Sequence, residues 1–276
     1  MIKLLRIEFK KILTYKVFWI LFGLYFVFLA SGLLLAEFIL NSMVDDMNRH
    51  IPIPMPHIAI YYFPDIWQNM SFFASIRYVL ILPAAVVIIL ITNEFTYRTI
   101  RQNIINGMSK AEFICSKLLI ILLISIIMTL LLAIGSFIIG LSHSDEESIR
   151  MMFRKFSFIY GFFVMIFTLL VYAFFFGFML RNTGLAIALF SLYTFIVEPI
   201  IYFFLRSPLV HENKIYPYLP VNAVLRVVEY PAISVFKKMM GITLQDHVSF
   251  LASLIPLGYA TIMTGIVFYV TWRKDL

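Results

Sequence analysis

Residues 118–141 read LLIILLISIIMTLLLAIGSFIIGL, an apolar run without a single charge. Crossing the roughly 30 Å hydrocarbon layer of a bilayer takes about 20 such residues in a helix, so this stretch is predicted to span a membrane. Further windows of the same character lie at 17–40, 72–92, 158–180, 185–205 and 250–269. A closed β-barrel would instead show many short alternating segments. The expected fold is an all-α membrane protein with six transmembrane helices in a single domain, 1–276. Composition agrees: 62% of residues are hydrophobic, 13% are charged and the mean hydropathy is +0.94, whereas about a quarter of the residues of a soluble domain are charged.

The first window follows a basic stretch, so a cleaved signal peptide is the competing reading. Its apolar run exceeds the usual roughly 7–15-residue core and no A-x-A-like site closes it, so the segment is expected to be retained. Cys115 is the only cysteine, which excludes an internal disulfide and a thiolate metal site.

With six spans, both termini share one side. Lys3, Arg6, Lys10, Lys11, Lys16, Arg98, Arg101, Lys110, Lys117, Arg181, Arg273 and Lys274 fall on it, twelve cations against nine spread over the longer loops of the opposite side. Cytoplasmic loops carry the Lys/Arg excess, so both termini are expected to be cytoplasmic. The net charge of +7 then reads as topology and contact with anionic membrane lipid, not as nucleic-acid binding. Within residues 1–16, Leu5, Phe9, Ile12 and Leu13 fall on one helical face and Lys3, Arg6, Lys10 and Lys11 largely on the other, predicting an interfacial helix. A plain positive anchor is the alternative.

Between the second and third windows, residues 93–119 read NEFTYRTIRQNIINGMSKAEFICSKLL. Asn106-Gly107 is a helix-stop signal, since glycine tolerates the left-handed conformation that ends many helices. Ser109-Lys110-Ala111-Glu112 has the form of a capping box. A short helix over 99–105 is therefore predicted, followed by a new helix from Lys110 into the third span. Ile100 and Ile104 share a face of the short helix. Glu94, at the inner edge of the second span, is expected to pair with a basic group of the N-terminal helix or with Arg98, as a structural brace.

This stretch resembles the cytoplasmic loop of the type-2 family of ABC exporter permeases. That pattern runs Glu, three residues, Gly-Thr, an apolar helix, Pro-x-Ser-Arg, then Lys seven further on. Glu94, Thr99, Ser109, Lys110 and Lys117 occupy the matching places, while Arg98 replaces the glycine and Gly107 the proline. The terminal Trp272-Arg273-Lys274-Asp275-Leu276 is also similar. The resemblance implies that 93–117 is a loop with a coupling helix, which sits in a cleft of a separate ATP-binding subunit, with Glu94, Thr99, Ile100, Arg101, Ile104, Ser109, Lys110 and Lys117 forming or bracing the coupling surface. It further implies an exporter in a bacterial cytoplasmic (inner) membrane. Two ATP-binding subunits and a second permease copy or sister permease are expected as partners. ATP and Mg would be held there, with no cofactor bound by this chain, and re-entrant helices are expected over 206–249.

No G-x-x-x-x-G-K-[ST] phosphate loop occurs, so any ATPase must be a different chain. Catalytic groups converging within the spans are lacking, and no enzyme activity is expected. Glu37, Arg77 and Glu198 are the ionisable residues inside the windows, about 5, 8 and 10 Å from the outer ends of their spans. Arg77 is expected to be neutralised by Glu37, Glu198 or both, and the three are candidates for an exit path. Pro199 is expected to break span five. Gly184 and Ala188 form a small-xxx-small pair suited to helix packing. The outer loop NSMVDDMNRHIPIPMPH gathers Met43, Met47, Met55, His50 and His57, but in a spacing that matches no metal site. The aromatics of spans four and five would suit a lipid-like cargo or simple packing. A proton- or ion-coupled secondary transporter is the main alternative, although internal repeats and mid-depth charges are lacking. A non-transporting component of an assembly or motility machine is another.

Overall fold

The computed structural model describes residues 11–50, 57, 59–105, 107–144, 149–206, 216–228 and 247–273. Helices account for the regular structure there: α1 (Lys16–Asn48), α2 (Ile66–Ala74), α3 (Ile81–Thr96), α4 (Thr99–Ile105), α5 (Lys110–His143), α6 (Ile149–Met152), α7 (Ser157–Leu180), α8 (Thr183–Leu192), α9 (Glu198–Arg206), α10 (Pro220–Leu225) and α11 (Phe250–Arg273). A π-helical turn, Tyr193–Val197, joins α8 to α9, and a 3-10 turn, Tyr216–Tyr218, precedes α10. Five stretches are long and apolar enough to cross a membrane, namely Lys16–Asp46, Lys110–His143, Ile149–Leu180, Thr183–Arg206 and Phe250–Arg273. A sixth arises if α3 and α4, bent by 65°, are counted together. The chain is an all-α membrane protein.

At the centre stands α7, on which α2, α3, α5, α8, α10 and α11 all pack. Phe158, Phe162, Tyr172, Phe174 and Phe178 are buried along it, so these span-four aromatics serve the interior. Helix α3 passes α7 beside Gly177, where an added Cβ would meet the Ile88 backbone at 3.4 Å, an ordinary contact. By contrast α1, α8, α9 and α11 turn Val27, Phe38, Leu192, Phe203 and Ile262 outward. In lipid such exposure costs nothing, because hydrocarbon tails are as apolar as the side chains.

Several expectations need correcting. The window 72–92 is not one helix: α2 ends at Ala74, the chain bends over 75–80, and α3 starts at Ile81. The physical reason is Pro83, which has no N–H and would break a helix interior but fits a first turn. At that place in α3 the Val79 carbonyl accepts the Leu82 N–H at 3.2 Å instead. Helix α1 continues to Asn48, so Met43, Asp45 and Asp46 lie on a helix and not in a loop. His57 Nε2 is 2.9 Å from Asp45 Oδ1, and Met55 lies outside the described residues. Pro199 does not break span five, which runs as one stretch from Thr183 to Arg206. Among the described residues no helix lies against Gly184; a Cβ there would meet only the Asn182 side chain, at 3.7 Å.

Of the interfacial helix expected over 1–16, residues 1–10 lie outside the described residues. The remainder is a helical turn over 11–14, from which the chain turns at Tyr15 into α1. Of the stretch 206–249, α10 and its neighbours are described, with Val221, Val224, Val227 and Val228 buried.

Two glycines of α5 make a matched test. At Gly140 a Cβ would stand 2.5 Å from the Phe63 ring, whereas at Gly135 it would meet nothing within 4 Å. Gly135→Ala should stabilise by up to about 1 kcal/mol through helix propensity, and Gly140→Ala should destabilise by about 1–3 kcal/mol through overpacking. Thermal unfolding of the two variants in the same detergent reads the opposite signs.

Candidate functional site

The loop after α3 is built from local signals. Helix α4 spans Thr99–Ile105 and α5 starts at Lys110, as the stop and start signals predict. Gly107, at φ +93°, donates its N–H to the Ile104 carbonyl at 3.0 Å, and the Met108 N–H reaches the Asn103 carbonyl at 3.0 Å. This paired closure satisfies carbonyls that a helix end leaves open. At α5, Ser109 Oγ accepts the Glu112 N–H at 3.1 Å while Glu112 Oε2 accepts the Ser109 N–H at 2.8 Å, a complete capping box. Arg98, at the end of α3, adopts φ +54°. That left-handed backbone is what glycine supplies without steric cost, and glycine is the residue of the resembled pattern here.

Glu94 organises the site. Its side chain is 6% exposed, and Oε1 accepts from Lys117 Nζ at 2.8 Å and from Lys11 Nζ at 3.1 Å. The Thr99 hydroxyl donates to Oε2. Lys117 is itself buried, with its ammonium 5.2 Å from the centre of the Phe113 ring. One carboxylate thus joins the N-terminal segment, α3, α4 and α5. The expected link to the N-terminal helix is present through Lys11. Arg98, the other expected partner, makes no ion pair with Glu94, and Lys117, which sequence reasoning did not assign to it, takes that role. Beside the cluster is a cavity of about 170 Å³. Val87, Leu90, Ile91, Ile120 and Ile121 line its apolar part, and Lys11, Glu94 and Lys117 its charged end.

The remaining loop residues divide by depth. Ile100 is buried in the core and Ile104 is partly buried against it, so this face of α4 looks inward. Arg101, Gln102 and Ile105 are exposed, Ile105 by 83%. Ser109 serves as the cap, and Lys110 borders a cavity with Phe268 and Trp272 of α11.

At the opposite end the charges are held differently from expectation. Among the described residues Arg77 forms no ion pair with Glu37 or Glu198. Its guanidinium donates to the Thr194 carbonyl at 2.8 Å. In the π turn the Glu198 N–H bonds to the Tyr193 carbonyl, and the next donor in that series would be residue 199, a proline. The Thr194 carbonyl is therefore orphaned, and Arg77 satisfies it. Glu198, wholly buried, accepts the N–H of Val221 at 2.9 Å and that of Asn222, capping α10 from a different element. The Glu37 N–H approaches the Tyr61 hydroxyl at 3.4 Å, while its Oε2 is buried without a hydrogen-bond partner among the described residues. The three charges are not gathered into one cluster.

Removing Glu94 would take the carboxylate from a buried cation, Lys117. Glu94→Gln is expected to destabilise by about 3–5 kcal/mol, and the double variant Glu94→Gln/Lys117→Met to recover most of that loss. Arg98→Gly should raise stability by about 1 kcal/mol by relieving the left-handed backbone. Unfolding midpoints of the purified variants check both.

A family model described as ABC-2 family transporter protein matches residues 4–197. That region contains the Glu94 cluster, α4, the capping box and Arg77. No curated protein matches the chain. With the match covering more than half of the sequence, and with apolar helices that suit a multi-pass membrane component, the chain belongs to the ABC-2 transporter family.

Proposed function

We propose that this chain is the permease subunit of an ATP-driven exporter, coupling ATP hydrolysis in a separate subunit to outward movement of cargo. The observation that carries this reading is the Glu94 brace. A push on α4 reaches the N-terminal segment, α3 and α5 together, because one buried carboxylate holds all of them. Such a rigid junction suits transmission of force better than a connector resting on lipid.

The docking face is Arg101, Gln102 and Ile105, with Ile104 at its edge and Lys110 beyond the turn. Ile100 supports that face from inside. Two ATP-binding subunits, each holding ATP and Mg, would serve a pair of permeases, either two copies of this chain or this chain with a sister. The assembly would sit in a bacterial inner membrane with both termini cytoplasmic. The cavity with an apolar wall and a charged end supports an amphipathic or lipid-like cargo.

The test is co-purification from the native membrane in mild detergent. A stoichiometric ATP-binding subunit is expected, and Arg101→Glu/Ile105→Asp should reduce its recovery about tenfold or more while leaving the permease folded. Recovery unchanged by the double variant removes α4 from the docking surface. A preparation that keeps other complexes intact but yields no ATPase rejects the exporter reading.

A further inference from the structure

A second cleft, of about 380 Å³, opens beside the Glu94 cluster and is bordered by Phe95, Arg98, Ile100, Arg101 and Arg181. Among the described residues, none of these three arginines pairs with a carboxylate. Glu94 also borders the cleft, but its charge is already met by Lys117 and Lys11. The cleft is therefore a concentration of positive charge.

Backbone conformation points to the same place. Arg98 at φ +54° and Arg181 at φ +52° are the non-glycine residues with left-handed backbones among those described, and both border this cleft. Each ends a helix: Arg98 follows α3 and Arg181 caps α7. Glycine would serve either turn with less strain, and strain retained at such positions is a marker of function. The Arg181 guanidinium lies 4.9 Å from the centre of the Phe95 ring, a stacking that orients it while leaving its edge N–H groups available.

We propose that this cleft binds the phosphodiester headgroup of an anionic phospholipid, with Arg98 and Arg181 chelating the phosphate and Arg101 supplying a third positive charge. Guanidinium forks match phosphate oxygens in bidentate geometry, and basic pockets between helix ends at the cytoplasmic surface recognise lipid headgroups. Both principal arginines follow the ends of apolar helices, Arg98 after α3 and Arg181 after α7, and Phe95 and Ile100 give the cleft apolar walls. A free phosphate offers the same chemistry, but the apolar walls, together with the cytoplasmic-surface position that the proposed topology gives this loop, favour lipid. Arg181 belongs to the turn between α7 and α8, outside the docking helix, whereas Arg101 lies on the face proposed for docking, so the lipid and the ATP-binding subunit would share that one residue.

The experiment uses the full chain in nanodiscs of phosphatidylcholine with increasing phosphatidylglycerol, counting retained lipids by native mass spectrometry and recording thermal midpoints. The variant Arg98→Gly/Arg181→Gly keeps both turns unstrained while removing both guanidinium groups. It should retain phosphatidylglycerol about tenfold less well than the wild type, with an equal or higher midpoint in pure phosphatidylcholine. Arg150→Gln, an equal charge change per residue on α6, should retain the lipid as the wild type does. Undiminished retention by the double variant overturns the proposal and leaves the arginines to a protein partner. Equal loss in Arg150→Gln reduces the effect to bulk charge, and displacement of the lipid by inorganic phosphate reassigns the cleft to a free anion.

Discussion

A carboxylate removed from water needs compensation for the lost hydration, and Glu94 receives it from two ammonium groups and a hydroxyl. Because these partners come from separate stretches of chain, satisfying one charge fixes the relative position of four elements. The direction of dependence matters. Lys117, 5% exposed, depends on the acid for its charge, while Lys11 is 38% exposed and reaches the acid from the surface, and the acid depends on these cations in turn. The loop between α3 and α5 is thereby anchored to the membrane domain, and α4, only one residue beyond Arg98, inherits its position.

The same requirement shapes the far end of the molecule. There the unmet groups are backbone atoms: the Thr194 carbonyl, left open by Pro199, and the first amides of α10. Arg77 and Glu198 answer them separately. Two opposite charges, Arg77 in the bend before α3 and Glu198 within the stretch Thr183–Arg206, thus serve as hydrogen-bonding groups for the main chain. Counting charges without following the backbone would pair them with one another, because nothing in a hydropathy profile shows which carbonyl lacks a donor.

This distinction explains what was legible in the sequence. The bounds of α4, the start of α5 and the capping box were readable because each depends on residues within a turn or so of one another. The all-α membrane class followed from apolar runs alone. The link between Lys117 and Glu94 was not readable as a contact, since it crosses 23 positions and depends on how α3 and α5 pack. The expected single helix over 72–92 failed for a different reason. A window average treats Pro83 as one more apolar residue, while the backbone treats it as a missing donor. The Arg77–Thr194 bond had a signal in Pro199, but its meaning required knowing that the helix continued past the proline.

The 16 residues of α3 cover only about 24 Å along the axis, less than the bilayer core, with Glu94 near one end and Arg77 just before the other. This span is marginal as an isolated membrane segment. Its main packing partner is α7, which leaves the ribosome some 60 residues later. During biosynthesis α3 must therefore be held at the insertion machinery, or remain partly outside the bilayer, until α7 arrives. The segment that carries Glu94 thus completes its packing only after the central helix has emerged.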